Sequence, residues 1–172
     1  MPPFCHDGTE RTIPRPTDPV EQKSAYSGKT KAHTLKNLLL INQSLIILFL
    51  SPTYFGSTHD KRLADSLPYP LPPGSQLLQD LGFMGFSLEA VEILMPHKKP
   101  RGGSLTLQRK TENKQLAQRR VRIEHVNSSV KRLRIIKDTI RLVSPSVRDF
   151  VMEISCALHN FRLSFSPWLP LS

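Results

Sequence analysis

Apolar residues in the first half of the chain fall into short runs that have the length of buried strands. Residues 37–58 carry no formal charge, and Leu38–Ile41 and Leu45–Leu50 are the two apolar runs within them. Runs of about four to eight apolar residues bounded by turn residues are typical of strands in a sheet. The pattern therefore predicts a β-hairpin that turns at Asn42-Gln43.

Two further strands are predicted after a proline-rich connection. Residues 66–74 contain four prolines and predict an exposed, extended segment. The apolar stretch that begins at Leu77 predicts a short strand ending in the acid Asp80, and Val91–Met95 predicts the next strand. An acid at the end of a strand, close to a glycine, projects its side chain to a place where a site can form.

Helical periodicity replaces the short runs in the second half of the chain. Between Arg119 and Lys131, a rotation of about 100° per residue separates two stripes. The buried stripe is expected to hold Ile123, Val126, Val130 and Leu133, and the polar stripe holds Arg120, Glu124, Asn127, Ser128 and Lys131. We expect a long helical region that runs from Thr106 towards Ile136 and contains this motif.

Two other helices are predicted from the residues at their starts. Ser144-Pro145 suits the first turn of a helix. Ser57-x-x-Asp60 has the form of a capping box, which favours a structural role for Asp60 over metal binding. The helix after Pro145 is expected to direct one apolar stripe at the core, formed by Val147, Phe150, Val151, Ile154, Leu158 and Phe161.

The chain is strongly basic, and its cations are concentrated in one region. Its 172 residues suit one domain, and its net charge is +10. Fourteen Lys and Arg residues lie between Lys98 and Arg141, against three acids, Glu112, Glu124 and Asp138. This imbalance indicates an acidic partner, with nucleic acid first and an anionic membrane surface second.

Several other classes of protein are disfavoured by the sequence. Cys5 and Cys156 have no metal or redox spacing, which indicates a reducing compartment, and the six histidines are too scattered for a zinc site. The N-terminus carries an acid where a signal peptide needs an apolar core. A membrane-spanning helix over residues 38–55 is the less favoured alternative to the hairpin, because each apolar run is shorter than the roughly 20 residues of a span.

One carboxylate on the polar stripe stands between two cations. Arg120 lies one helical turn before Glu124, and Lys131 lies about two turns after it. The arrangement suits an acid that holds a metal ion beside a phosphate backbone, although an ordinary surface helix could also carry it. The pattern Arg-x3-Glu-x6-Lys resembles the C-terminal catalytic signature of DDE transposases of bacterial insertion sequences. More narrowly, it resembles the DDE superfamily endonucleases of the family-five-like and harbinger-type group.

Four other blocks resemble the same family and follow its order along the chain. Taken alone, an Asp-Gly pair or a strand-ending Asp is an ordinary turn feature. The ordered set extends the resemblance from about Asp7 to Phe161. The blocks are Asp7-Gly-Thr, Tyr26-Ser-Gly-Lys with its continuation to Lys36, Gly56-Ser-x-His-Asp60, and Asp80-x-Gly-Phe.

The resemblance implies a fold and a set of site residues. The fold is α/β, a ribonuclease-H-like mixed sheet flanked by helices, in one catalytic domain over residues 1–164 with a tail at 165–172. Asp7, Asp80 and Glu124 are implied as the catalytic residues that hold two Mg²⁺ or Mn²⁺ ions, with Asp60 as the runner-up ligand. Contacts with DNA are implied for Arg120 and Lys131, with Lys29, Lys31 and Lys36 as lesser candidates.

The resemblance also implies a function. The expected activity is that of a transposase-type DNA endonuclease and strand-transfer domain acting on transposon ends and target DNA. A homodimer in a synaptic complex is compatible with it, whereas a membrane or a small-molecule substrate is not expected. The expected location is the cytoplasm of a prokaryote, in association with the nucleoid.

The chain departs from the family pattern in three places. Phe4-Cys5-His6 are the residues left between two prolines and Asp7, which predicts a truncated first strand. We expect the N-terminal helical DNA-binding domain to be missing, and Ala117 stands where some relatives have a tyrosine. These departures leave the activity of this chain open, an inactive remnant included. The alternative is a non-catalytic basic nucleic-acid-binding protein.

Overall fold

Short strands dominate the first half of the chain, and two long helices follow them. The structure, a computed structural model, describes residues 3–167. The expected tail at 165–172 falls partly outside this range, because residues 168–172 are not among those described. In chain order the elements are β1 (Phe4–Thr12), α1 (Pro19–Ala25), β2 (Tyr26–Ser27), β3 (Ala32–Ile41), β4 (Ile47–Leu50), β5 (Tyr54–Phe55), α2 (Asp60–Asp65), β6 (Ser75–Leu78), a 3-10 turn (Leu81–Phe83), β7 (Val91–Leu94), α3 (Leu107–Val130), α4 (Arg134–Lys137) and α5 (Pro145–Phe165).

The strands form one mixed sheet with β1 near its centre. The order across the sheet is β2-β3-β1-β6-β7, and β4 and β5 also pair with β3. β3 is antiparallel to β1, whereas β6 is parallel to β1 and β7 is parallel to β6. Helices cover both faces. This is the predicted α/β architecture, and it is compatible with a ribonuclease-H-like fold.

The first strand is longer than the residues before Asp7 suggested. β1 has nine residues because it continues past Asp7 to Thr12. It pairs with β3 from Cys5 to Thr12, but with β6 only at Phe4 and Cys5. Pairing of β1 with β6 is therefore limited to the first two residues of the strand.

The predicted hairpin is confirmed. β3 and β4 are antiparallel neighbours, and the chain turns between them at Asn42–Ile46. The Asn42 side chain accepts a hydrogen bond from the backbone N–H of Ile46 at 3.0 Å. None of the helices within residues 3–167 is long and apolar enough to cross a membrane.

Two core clusters lie on opposite faces of the sheet. On one face, Cys5 and Leu78 pack against α3, α4 and α5 through Ile123, Val126 and Met152. On the other face, residues of β3 and β6 pack against α2 and the aromatic residues that follow β6. The buried stripe predicted for α3 is confirmed at Ile123, Val126 and Val130.

The predicted capping box of α2 is absent, and the predicted helical region from Thr106 towards Ile136 is interrupted. α2 begins at Asp60 with His59 at the N-cap, and no side chain caps it, because the Asp60 carboxylate is paired with Lys36 instead. The predicted long helix ends at Val130 rather than near Ile136, and Lys131 is its C-cap. The chain then turns and forms α4 as a separate short helix.

The predicted core-facing stripe of α5 was also wrong. The buried residues of α5 are Met152, Ser155, Cys156, His159 and Leu163, and most of the predicted stripe is exposed. Polar contacts hold the helix in this orientation. His159 hydrogen-bonds to Ser129 and to the Leu45 carbonyl, and the Asn160 amide pairs with the backbone of Ile47.

Candidate functional site

Asp7 lies on β1 with its side chain directed towards α3. Its Oδ2 accepts a hydrogen bond from Asn127 Nδ2 at 3.1 Å, and its Oδ1 accepts one from the backbone N–H of Gly8 at 2.9 Å. Burial raises the pKa of Asp7 to about 6, and the nearby positive charges of Arg120 and Lys29 oppose this rise. A largely buried carboxyl group with a raised pKa is typical of functional sites.

Asp80 lies beside Asp7 at the end of the neighbouring strand. Cys5 of β1 pairs with Leu78 of β6. Asp7 lies two residues after Cys5, and Asp80 lies two residues after Leu78. Neighbouring strands lie about 4.8 Å apart, and residues two apart point to the same face. Asp80 Oδ1 accepts a hydrogen bond from the backbone N–H of Leu81, and Oδ2 lies 3.5 Å from Arg120 Nη2.

Glu124 lies on the face of α3 that makes both of these contacts. Arg120, one turn before it, reaches Asp80, and Asn127, one turn after it, reaches Asp7. The same charged groups act on the Cys5 thiol. Burial raises its pKa to about 12; Arg120 opposes that rise, and the charges of Asp7 and Glu124 add to it.

Asp7 and Asp80 each contact a residue about one turn from Glu124 on α3, but the three carboxylates do not form a ready ligand set. Glu124 is exposed, and within residues 3–167 it makes no hydrogen bond or ion pair. No group of three or more His, Cys, Asp or Glu side chains in this range is arranged to hold a metal ion. The donors are nevertheless of the hard oxygen type that Mg²⁺ and Mn²⁺ prefer, so their chemistry fits such an ion.

Asp60 approaches the same strands from the opposite face. Its Oδ1 accepts a hydrogen bond from Lys36 Nζ at 2.8 Å, and that ammonium also lies 3.6 Å from Glu10. A Cβ added to Gly82 would lie 2.8 Å from Asp60 Oδ2, and one added to Gly8 would lie 3.1 Å from Oδ1. Because Gly8 and Gly82 lack side chains, the Asp60 carboxylate can lie close to the backbone that follows Asp7 and Asp80.

The predicted DNA-binding lysines are in different environments. Lys36 is 7% exposed and is held by Asp60, Glu10 and the Thr58 carbonyl. Lys29 and Lys31 are exposed in the loop between β2 and β3. Lys131 is half-buried. Burial lowers its pKa, and the negative charges of Glu10 and Asp7 oppose this change.

A basic cleft continues from Lys131 along the end of α3. Its volume is about 630 Å³. Arg134 Nε donates to Asp138 Oδ2 at 3.0 Å, and this is an exposed ion pair. The sequence indicated a basic region here without showing that its residues line one cleft. The lining residues are Ser128, Lys131, Arg132, Arg134, Lys137 and Asp138.

Sequence reasoning missed the role of Asn127. The helical pattern places it on the polar stripe without indicating a function for it. Its amide is the direct contact between α3 and Asp7, and its Oδ1 is buried without a hydrogen-bond partner in the described chain. Its position seven residues after Arg120, on the same helical face, is the signal that could have indicated it.

The mixed sheet flanked by helices is compatible with a ribonuclease-H-like fold. Comparison with known proteins specifies the family. Residues 6–160 match the family model described as DDE superfamily endonuclease, and the chain belongs to this family. This confirms the membership expected from the sequence motifs.

A relative of this chain bears the name "Probable transposase for insertion sequence element IS702" and comes from Microchaete diplosiphon. The two are 32% identical over 135 residues, which cover 78% of this chain and 48% of the relative. The chain therefore spans about half the length of the curated relative that it matches. No solved structure matches the chain.

Proposed function

We propose that the chain is the catalytic part of a transposase-type DNA endonuclease, with Asp7, Asp80 and Glu124 as its catalytic acids. The observation that supports this proposal is that Asp7 on β1 and Asp80, two residues after β6, each contact α3, the helix that bears Glu124. A basic module without catalytic function would not require a partly buried aspartate with a raised pKa near a second aspartate.

The three acids would hold Mg²⁺ or Mn²⁺, the hard cations that carboxylate oxygens favour. The bound metal would supply an activated water and would stabilise the leaving oxygen of a scissile phosphate. Arg120 Nη2 lies 3.5 Å from Asp80 Oδ2, so its guanidinium stands beside the place where the acids would hold the metal. From there it would pair with a phosphate of the DNA, as arginine does readily.

DNA is the proposed substrate, and the basic cleft is its proposed path away from the acids. Arg120 and Lys131 flank Glu124, and Arg132, Arg134 and Lys137 extend the positive surface along the cleft. Lys29 and Lys31, in the loop between β2 and β3, remain candidates for contacts with DNA. We assign Lys36 a structural role, because its ammonium is already bound to Asp60.

Metal binding gives the direct test of the site. Mn²⁺ at about 100 times its dissociation constant should stabilise the folded chain by about 2.7 kcal/mol. For a chain of this length, that corresponds to a rise in Tm of about 5–10 °C. Asp7→Asn, Asp80→Asn and Glu124→Gln should each greatly reduce the rise. The measurement is thermal unfolding at neutral pH with increasing Mn²⁺.

Glu89→Gln is the matched control, because Glu89 is an exposed acid outside the site. It should keep the full rise in Tm. If Mn²⁺ leaves the Tm of the wild-type chain unchanged, or if Glu89→Gln removes the rise as completely as Glu124→Gln, the proposed metal site is wrong.

Binding of duplex DNA should depend strongly on salt. The logarithm of the affinity should fall linearly with the logarithm of the salt concentration, by about 0.9 for each phosphate neutralised. Lys131→Ala, Arg132→Ala and Lys137→Ala should each reduce this slope by about one, if each residue meets a phosphate. Fluorescence anisotropy with a labelled duplex measures the slope.

Arg62→Ala is the control for the loss of one positive charge outside the cleft. Arg62 is exposed on α2, which packs on the sheet face opposite to α3. Its removal should leave the slope unchanged, whereas Asp138→Asn should tighten binding by releasing Arg134. Equal effects of Arg62→Ala and Lys131→Ala would contradict a defined path through the cleft.

A further inference from the structure

The pairing between β1 and β6 ends before the chain reaches the two candidate aspartates. Cys5 and Leu78 are the last paired residues of the two strands. Asp7 and Asp80 each lie two residues beyond this last pair, and the chain after Asp80 enters the 3-10 turn at Leu81–Phe83. The hydrogen-bonded ladder therefore does not reach the aspartates, and their separation has to be set by other contacts.

The Asp60 carboxylate lies between the two backbone segments that follow the aspartates. A Cβ added to Gly8 would lie 3.1 Å from Asp60 Oδ1, and one added to Gly82 would lie 2.8 Å from Asp60 Oδ2. Gly8 directly follows Asp7, and Gly82 comes two residues after Asp80. Each carboxylate oxygen of Asp60 therefore lies against a different segment, at a distance that only glycine permits.

Lys36 fixes the Asp60 carboxylate in this position. Its Nζ donates to Asp60 Oδ1 at 2.8 Å and to the Thr58 carbonyl at 3.0 Å. The same ammonium lies 3.6 Å from Glu10, and Glu10 pairs with Lys36 in the ladder between β1 and β3. Asp60 is thereby tied to the strands on the Asp7 side of the sheet, while its other oxygen lies against the segment after Asp80.

We propose that Asp60 is a positioning residue, which holds Asp7 and Asp80 at the separation that the metal site requires. It acts from the sheet face opposite to α3, through the backbone beside each aspartate, and its own carboxylate is not a ligand. This inference rests on the proposed function, because it concerns the same site. Removal of a residue that supports metal ligands typically weakens metal binding about 10–100-fold.

Two substitutions of Asp60 separate positioning from metal binding. Asp60→Ala removes the group between the segments and should raise the dissociation constant for Mn²⁺ at least about tenfold. Glu10 stays beside Lys36 in this variant, so the ammonium keeps a counter-charge. Asp60→Asn keeps the shape of the side chain, and its carbonyl oxygen can still accept from Lys36. It should therefore raise the dissociation constant by less than about threefold, the size of one weakened hydrogen bond.

Calorimetric titration of the metal-free chain with Mn²⁺ at neutral pH measures these constants. A metal ligand would lose its charge in both variants, whereas a positioning residue loses its shape only in Asp60→Ala. Equally large effects of Asp60→Asn and Asp60→Ala would therefore overturn the proposal.

Gly82→Ala tests the same contact from the other side. The added Cβ would force Asp60 and the segment after Asp80 apart, and it should weaken Mn²⁺ binding about tenfold. In the Asp60→Ala background it should have little further effect, because the opposing group is gone. Gly28→Ala is the matched control, since an added Cβ there would meet no heavy atom of the described chain within 4 Å beyond its sequence neighbours. Additive effects of Gly82→Ala and Asp60→Ala would contradict the proposal.

Hydrogen exchange of the metal-free chain gives a measurement that needs no bound ion. Asp60→Ala should speed exchange at the amides of β6 and β7 relative to those of β1 and β3, because the contact between the two segments is lost. Equal acceleration in all four strands would indicate a general loss of stability and would overturn the proposal. Absence of Mn²⁺ binding by the wild type would overturn the metal site itself, and this inference with it. Mn²⁺ binding that Asp60→Ala leaves unchanged would overturn the role of Asp60 alone.

Discussion

Glu124→Gln is expected to reduce Mn²⁺-dependent nicking of plasmid DNA at least about 100-fold. Loss of a direct metal ligand should exceed the effect of changing a residue that only supports the ligands, which typically reduces metal affinity or activity about 10–100-fold. The same variant removes a negative charge from a basic surface, so DNA binding should stay intact or become tighter. Nicking of a supercoiled plasmid and duplex binding are measured side by side.

Glu112→Gln is the matched control for this experiment. Glu112 is on the same helix, three turns before Glu124, and its carboxylate is paired with His97. Its replacement should leave nicking unchanged. If Glu124→Gln nicks as well as the wild type, Glu124 is not catalytic, and a non-catalytic basic nucleic-acid-binding protein becomes the better interpretation.

Asp7→Asn is expected to stabilise the metal-free chain at pH 8. The pKa of Asp7 is raised to about 6 in the folded state, against its ordinary value of 3.8. The folded chain therefore binds this proton more tightly than the unfolded chain does. The raised pKa stabilises the folded state below pH 4, and this stabilisation is lost as the pH rises through about 6. Because a tenfold difference in proton affinity corresponds to about 1.4 kcal/mol, the lost stability is on the order of 2–3 kcal/mol.

Asparagine keeps the shape of the side chain without the charge. Its carbonyl oxygen can accept from the Gly8 N–H, and its amide can donate to Asn127 Oδ1 once the Asn127 amide rotates, so the contact with α3 is retained. Chemical unfolding at pH 8 should show a gain of about 2 kcal/mol for Asp7→Asn, and the gain should vanish near pH 4. Asp65→Asn, an exposed residue of α2, should show no comparable gain. A destabilised Asp7→Asn at pH 8 would contradict a raised pKa for Asp7.

The sheet was largely predictable because its signals are local. The charge-free stretch with a polar break at Asn42-Gln43 specified the hairpin, and the acid that ends an apolar run specified Asp80 at the end of β6. These predictions needed only the lengths of the runs and the residues between them. The order of the sequence motifs specified the family.

The orientation of α5 was not predictable because distant contacts decide it. The helix has two apolar stripes, and the more hydrophobic one faces solvent. The other stripe is buried because His159 reaches Ser129 and Leu45, which are 30 and 114 residues away in sequence. Periodicity identifies the stripes, but it carries no information about such partners.

The same limit applies to the candidate site. The motifs selected Asp7, Asp80 and Glu124, whereas the register between β1 and β6 and the contact from Asn127 to Asp7 needed the structure. The spacing of Ser57 and Asp60, three residues apart, predicted a capping box. Asp60 forms an ion pair with Lys36 instead of a capping box, because this pair neutralises the nearly buried ammonium of Lys36.

The unequal pairing of β1 has a consequence for how the protein opens. β1 is joined to β3 along eight residue pairs but to β6 at two, so β6 and β7 can separate at a lower free energy than global unfolding. Asp7 lies on β1, which stays joined to β3, whereas Asp80 follows β6 and would move with β6 and β7. Amides of β6 and β7 should therefore exchange with deuterium sooner than those of β1 and β3. Opening of this edge alone would disperse the two aspartates while most of the fold persists.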